Sequence, residues 1–337
     1  MRQVCVTRYG PPGVLAVREQ PDPEPAVGQV RIAVRFAGVN FSDLLARVGL
    51  YRDAPRPPCV LGYEVSGVVD AVGGGVDASL IGRRVLAATD FGGQSEFVCV
   101  PASLTFPTPE GVNDDAAAAM IVTYLTAHHL LNRLTSVQST DTVLIHAVAG
   151  GVGTAAAQLC RIAGARVIGT ASPTKHEYLR EQGIAPVDYT RPDWAARVED
   201  LTDGRGVDIA LDPIGGASFR QSYRLLAPGG RLLCYGNSAM SRPGKRSIAR
   251  ALLSLLQMPR FGPVRLMNEN RGVLGVHIGH LWGELRILRP QMEHLLELLA
   301  AGHIEPVIDR VYAFDEAAAA HERLERRQNI GKVLLRP

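Results

Sequence analysis

The sequence is short of everything that would staple or anchor a chain. Its five cysteines, Cys5, Cys59, Cys99, Cys160 and Cys234, are odd in number, widely spaced and form no C-x-x-C pair. That excludes a disulfide framework and a zinc ribbon. No run of eighteen apolar residues occurs, so no membrane-spanning helix is expected. The opening residues, MRQVCVTRYG, lack the basic segment and apolar run of a secretory leader. Charge of one sign is equally scarce: 36 Lys and Arg oppose 33 Asp and Glu, a net charge of +3, too small for a nucleic-acid footprint over the whole surface. Internal repeats are absent, and the short alanine runs at 116–119 and 317–320 read as helix. These absences leave a cytoplasmic soluble protein with no nucleic-acid partner.

What is present is a chain of 337 residues, 46% hydrophobic, enough for two domains. Residues 1 to about 120 hold short β-type runs at 29–36, 67–72 and 84–87, broken by Pro- and Gly-rich clusters such as 22–25 and 55–58. From Ala116 the pattern changes. AAAAMIVTYLTAHHLL is helix-compatible and leads to an apolar strand at 142–147; a helix at 154–163, a strand at 166–170, a helix at 174–182, a strand at 207–211, a helix near 218–226 and a strand at 230–235 follow. Such alternation predicts a doubly wound parallel sheet. A β-type segment at 272–278 is expected at its far end, before an amphipathic helix at 290–301. The last stretch, 304–337, holds a strand at 308–314, a helix from Asp315 and a strand at 332–335, and is expected to return to the first domain. The domain boundaries read as 1–120 with 304–337, and 121–303. Between 242 and 271 seven basic residues face one acid, Glu269, as a solvated helix and loop.

The strongest local signal is VLIHAVAGGVGTAAAQL, an apolar strand running through glycines into a helix. Gly150 and Gly153 occupy the last two glycine positions of G-x-G-x-x-G, and Val148 replaces the first. Strand before, helix after and a second strand within about thirty residues form the mononucleotide-binding unit. Gly150 lets the backbone approach a pyrophosphate on the helix N-terminus, where N–H groups and the helix dipole favour an anion. Gly153 lets helix and strand pack closely. After the second strand, in RVIGTASPTKHE, Ala171 stands where an acid selecting NAD is expected. Ser172 and Lys175 instead offer a hydroxyl and a cation to a 2′-phosphate, which predicts NADPH.

Further motifs are AGVNFSDLLARVGLY (37–51), PPCVLGYEVSGVV (57–69) and VTYLTA (122–127). With the A-x-x-G-G-V-G of 147–153, they are similar to the medium-chain dehydrogenase/reductase superfamily and its quinone oxidoreductase branch. TASPTKHEYLREQG, VDIALDPIGG, NRGVLGVHIGHL and NIGKVLL resemble the vesicle amine transport protein homologues within that branch. The resemblance implies an α/β fold in which a GroES-like, mostly β catalytic domain accompanies a Rossmann domain. It also implies a homodimer paired along the 273–278 edge. Where zinc alcohol dehydrogenases of the superfamily place a Cys and a His ligand, this chain aligns Asn40 and Tyr63, and the connection 90–100 is too short for their four-cysteine lobe; no metal is expected.

The resemblance further implies a zinc-independent reductase that passes hydride from NADPH to a quinone or to the C=C of an α,β-unsaturated carbonyl. Asn40 and Tyr51 are its candidate catalytic residues, Tyr51 donating to an enolate oxygen and Asn40 binding the carbonyl or ribose. Thr126, Ala149, Gly150, Gly151, Val152 and Gly153 would line the cofactor. Tyr189 would stack on adenine, Tyr235 and Gly236 would follow their strand along the cofactor, and Arg327 would join Lys175 at the 2′-phosphate. Asp43 and Glu64 are read as holding loops together, His146 as a satisfied core histidine and Cys59 as an inert thiol. Two further functions are expected alternatives: an enoyl reductase for CoA- or acyl-carrier-bound chains, and an NADPH-binding, lipid- or membrane-associated protein that rests RALLSLLQMPRFGPVRL on an anionic surface.

Overall fold

The computed structural model describes residues 1–241 and 247–337. The start of the basic stretch, residues 242–246, lies outside them. The chain divides into two compact units, one of Met1–Leu125 with Ile278–Pro337 and one of Thr126–Ser241 with Ser247–His277.

The second unit is built on six strands in the spatial order Ala185–Asp188, Arg166–Ala171, Thr142–His146, Val207–Asp212, Leu226–Cys234, Gly272–Gly275, all parallel. Counted along the chain, this is the 3-2-1-4-5-6 order of a dinucleotide-binding sheet. The order reverses between Thr142–His146 and Val207–Asp212, and the strands' carboxyl ends at that reversal form the crevice that ligands use. The strands are apolar almost throughout, as both faces of a parallel sheet are covered: Leu144, Ile168, Val207, Ala210 and Leu232 are fully buried in one cluster with Tyr223 and Leu226.

In the second unit the strand Ala185–Asp188 and the helix Trp194–Leu201 escape the sequence reading. The strand is four residues long and contains Pro186, which a sheet accepts at its edge, where this strand lies. The helix-compatible run after Ala116 is not a uniform helix. Asp114–Ala118 and Leu125–His128 are α-helical, while Met120–Tyr124 and His129–Leu134 are wound as π-turns, a geometry frequent at functional sites. The final sheet strand ends at Gly275, three residues before the expected limit. The helix Leu285–Ala300 starts five residues before Pro290, because the amides of Ile287 and Leu288 find Glu284 O at 2.8 and 3.1 Å and Leu288 is buried.

In the first unit seven strands form one sheet, ordered Ile308–Ala313, Lys332–Arg336, Gln29–Val39, Glu64–Val72, Arg84–Ala88, Thr105–Pro107, with Phe97–Pro101 also paired to Gln29–Val39. Val30, Ile32 and Val34 alternate inward and meet Val65, Val85, Val98 and Val100, the period-two pattern of a half-buried strand. The C-terminal strand returns to this sheet antiparallel to Gln29–Val39, with Val333 opposite Val39. One end of the sheet thereby brings together the end of Gln29–Val39 and the first residues of Glu64–Val72 and Lys332–Arg336.

Candidate active site

The glycine loop of the second unit leaves room for a side chain at one glycine and none at another. The helix Gly151–Ala163 has Gly150 as its N-cap, and its ladder opens with Thr154 N donating to Gly150 O at 2.8 Å. The amides of the first turn have no intrahelical acceptor, the local setting that favours an anion. A Cβ on Gly153 would lie 2.5 Å from both Ala147 O and Val148 O, whereas one on Gly150 would meet only Ala147 O, at 3.2 Å. Close packing is therefore the task of Gly153. Val148 is accommodated in place of the first glycine because its side chain packs on Gly169 of the neighbouring strand, where a Cβ would sit 2.5 Å from Val148 Cγ1.

Most of the predicted cofactor residues of this unit follow the carboxyl ends of parallel strands. Ala149, Gly150, Gly151, Val152 and Gly153 follow Thr142–His146; Ser172 and Lys175 follow Arg166–Ala171; Tyr189 follows Ala185–Asp188; Tyr235 and Gly236 follow Leu226–Cys234. Ser172 Oγ lies 3.1 Å from Thr174 Oγ1, and Lys175 N donates to Ser172 O at 3.0 Å, closing a tight turn in which Lys175 is buried. Gly236 packs on Pro213, whose O would stand 2.8 Å from an added Cβ. Burial, then Asp212, pushes the Tyr235 phenol up. Thr126 is buried in the helix Leu125–His128, and Arg327 lies in the first unit with a left-handed backbone, φ +55°.

A buried polar chain ties the two strands at the reversal. His146 Nδ1 is 3.0 Å from Thr170 Oγ1 and its Nε2 is 3.0 Å from Ser222 Oγ. Ser222 donates its one proton to Asp212 Oδ2 at 2.7 Å, so His146 Nε2 carries the hydrogen and Nδ1 accepts from Thr170. Ser218 also donates to Asp212 Oδ2, and Asp212 Oδ1 receives Ile214 N at 2.7 Å and Gly215 N at 3.3 Å. Burial holds the imidazole below its usual range. His146 is thus a neutral, satisfied core histidine that orders the loop after Asp212.

In the first unit Asn40 is the N-cap of the helix Phe41–Arg47 and Asp43 completes the cap, accepting Asn40 N at 2.7 Å on Oδ2 and Gly62 N at 3.2 Å on Oδ1. Burial pushes the Asp43 carboxyl up to about 7, against the pull of those amides and of Lys332. Asn40 Nδ2 donates to Glu64 Oε1 at 3.0 Å, and Asn40 Oδ1 accepts from Lys332 Nζ at 2.6 Å. Lys332 also donates to Glu64 Oε1, and Glu64 Oε2 receives Val122 N at 2.7 Å from the π-turn. Both acids therefore hold loops together. Sequence reasoning missed Lys332, although it stands in the quoted NIGKVLL motif.

Tyr51 lies near this network, half-buried, with its ring edge-on to Tyr63 at 6.1 Å between centroids; Tyr63 meets Phe91 at 4.8 Å. Burial raises both phenols, and for Tyr63 the neighbouring Tyr51 raises it further. Each therefore remains a protonated donor at neutral pH. Phe91 holds φ +68°, a left-handed conformation rare for a bulky residue. Burial pushes the Cys59 thiol up to about 11, which keeps it unreactive.

Residues 26–110 match the alcohol dehydrogenase GroES-like domain, and residues 183–335 match the family described as zinc-binding dehydrogenase. The human synaptic vesicle membrane protein VAT-1 homolog is 38% identical over 341 residues, covering all of this chain and 86% of its own. A quinone oxidoreductase of Pseudomonas aeruginosa is 32% identical over 353 residues, covering all of this chain and 99% of its own. The structure of Escherichia coli quinone oxidoreductase complexed with NADPH superposes with a TM-score of 0.88 at 27% identity, covering all of both chains. With a GroES-like β unit and a 3-2-1-4-5-6 dinucleotide sheet, the chain belongs to the medium-chain dehydrogenase/reductase superfamily, close to the VAT-1 homologues and the quinone oxidoreductases.

Proposed function

We propose that the protein is an NADPH-dependent reductase that delivers hydride to quinones or to the C=C of α,β-unsaturated carbonyls. The observation that carries this reading is the glycine loop at the sheet's reversal, followed by a second strand whose end offers Ala171, Ser172 and Lys175 in place of a carboxylate. These residues fit the cofactor: Gly150 leaves the helix N-terminus open to a pyrophosphate, Gly153 lets that helix start close on its turn, and Ser172 with Lys175 suits a 2′-phosphate. NADPH bound there supplies hydride to an electron-poor carbon. Asn40 and Tyr51 act on the oxygen where charge accumulates, Asn40 as an amide donor and Tyr51 as the donor of a hydrogen bond or proton.

Zinc, which one family description implies, does not fit Asn40 and Tyr63, the residues that align with the ligands of the zinc-dependent members. Asn40 Oδ1 is bound to the Lys332 ammonium, Asn40 Nδ2 to Glu64, and the neighbouring Tyr63 keeps its proton. A cation of fixed position occupies the place where a dication would need soft or imidazole donors. No step is therefore routed through a metal.

The test is NADPH oxidation by the purified protein against 9,10-phenanthrenequinone, benzoquinones, acyclic enones and enals, and crotonyl-CoA. Turnover of quinones or free enones is expected, and a rate confined to crotonyl-CoA would replace the reading by an enoyl-thioester reductase. A second reading, a membrane-associated protein, is favoured by one observation. The helix Ile248–Gln257 exposes Ile248, Leu252, Leu253, Leu255 and Leu256, the last at 82%, with Val264 and Met267 exposed on the next helix. Among the described residues Arg250 donates to Ala239 O and Arg265 pairs with Glu269, and these apolar side chains would rest on an anionic surface. Vesicle co-sedimentation that is unchanged in Leu252→Glu/Leu256→Glu would remove that reading.

A further inference from the structure

We propose that Lys332 and Glu64 are positioning residues that turn the Asn40 amide into an oriented and polarised hydrogen-bond donor for the developing oxyanion. This rests on the reductase reading and assigns a task to two buried charges that the reading leaves unused.

The orientation of an asparagine amide is ordinarily ambiguous, but here the partners fix it. An ammonium only donates, so the atom 2.6 Å from Lys332 Nζ is the oxygen; a carboxylate only accepts, so the atom 3.0 Å from Glu64 Oε1 is the nitrogen. One Nδ2–H is thereby bound to Glu64. The other has no partner among the described residues, and Asn40 retains 9% of its surface while Glu64 and Lys332 are buried. Asn40 can therefore offer an incoming ligand a donor, while its oxygen is held by Lys332.

The charges also alter the strength of that donor. A cation on the amide oxygen favours the resonance form with negative charge on oxygen and positive charge on nitrogen, which makes the remaining N–H a stronger donor. Burial amplifies the effect, because little solvent screens the pair. The third anchor is the backbone. Glu64 Oε2 holds Val122 N of the π-turn, and Asp43 holds Asn40 N, so neither end of the chain can swing the amide away. Such a donor suits an enolate or hydroquinone oxygen, which carries charge only as the reaction proceeds.

The experiment is a double-mutant cycle with Asn40→Ala and Lys332→Met, read by kcat on the best acceptor of the panel and, separately, by the spectrum of 4-nitrophenol bound to the NADPH-free protein. Asn40→Ala is expected to lower kcat by about 100-fold, as removal of one oxyanion donor does. Lys332→Met is expected to lower kcat by about 10-fold alone and by less than about 2-fold in the Asn40→Ala background. Bound nitrophenol should ionise more readily in wild type than in either single variant, with the two losses non-additive. If Lys332→Met multiplies the loss in both backgrounds equally, Lys332 is merely structural and the proposal falls. Since Lys332→Met leaves Glu64 buried without its cation, Glu64→Gln/Lys332→Met supplies a charge-neutral control: it keeps an amide oxygen for Asn40 Nδ2 and removes the cation, and unchanged kcat and nitrophenol ionisation in it would equally overturn the proposal. A wild type inactive on every acceptor refutes the reductase reading, whereas an active wild type with an additive cycle refutes only this inference.

Discussion

Alanine at Gly153 and alanine at Gly150 should damage different properties, because the two glycines meet different neighbours. At Gly153 the added Cβ is placed 2.5 Å from two carbonyl oxygens of the turn, about 0.9 Å inside the 3.4 Å at which ordinary contact begins. Those atoms are backbone in a sharp turn where Ala147 already holds φ +53°, so the helix start must move instead. Two such contacts with backbone place the cost in the upper part of the overpacking range, about 2–3 kcal/mol, while alanine regains about 1 kcal/mol of helix propensity over glycine. The net loss is about 1–2 kcal/mol, or a fall in Tm of about 2–8 °C. At Gly150 the Cβ meets one oxygen at 3.2 Å and φ is −83°, which alanine adopts freely. Stability should change by less than about 0.5 kcal/mol, but the methyl group stands at the mouth of the helix. Loss of one backbone bond to a charged phosphate there weakens NADPH by about 10-fold or more. Calorimetry and NADPH fluorescence titration on both variants read the contrast. A Gly153→Ala protein that melts with wild type, or a Gly150→Ala protein that binds NADPH as wild type does, refutes the division of labour.

Lys175→Met should raise the KM for NADPH by about 10-fold while leaving that for NADH nearly unchanged; equal effects on the two cofactors would remove Lys175 from the 2′-phosphate. Asp43, whose carboxyl is raised to about 7 in the fold, binds its proton more tightly folded than unfolded. Its contribution is therefore full below about pH 4 and lost as pH rises through 7, by up to about 4 kcal/mol. Urea midpoints at pH 5 and pH 8 should show that loss in wild type relative to Asp43→Asn, and an identical pH dependence in both would contradict it. Phe91→Gly should be more stable than Phe91→Ala by about 1 kcal/mol, since both lose the ring and only glycine relieves the left-handed backbone; chemical denaturation of the pair decides it. Tyr51→Phe should lower kcat without changing the NADPH dissociation constant, which a single-turnover assay with a fluorescence titration checks.

What the sequence made legible is what depends on neighbours along the chain. The glycine loop is readable because strand, turn and helix follow one another between Thr142 and Ala163, each with its own signature. The compensation that lets Val148 replace a glycine was not, because it comes from Gly169 on the adjacent strand. Asn40 stood out within its motif, yet its partner Lys332 lies 292 residues further on and reaches it only when the last strand pairs beside Gln29–Val39. Ala185–Asp188 escaped because a short edge strand with a proline carries no alternation to read. The π-turns escaped for another reason. Met120–Tyr124 is largely apolar, as a buried α-helix is, and the bond from Val122 N to Glu64 comes from a strand 58 residues away.

The Lys332–Asn40 pair also bears on why such a site suits some acceptors and not others. A Lewis-acidic metal polarises a carbonyl by direct coordination and needs no help from the substrate. In the proposed reading the fixed cation acts one bond removed, through an amide, and a hydrogen-bond donor such as Asn40 supplies about 3 kcal/mol of transition-state stabilisation. That is enough for an acceptor whose own conjugation spreads the incoming charge, as a quinone or enone does. It is too little for an isolated ketone, whose reduction places the full charge on one oxygen. The substrate preference then follows from the donor set: the less the protein polarises the oxygen, the more electron-poor the carbon must already be.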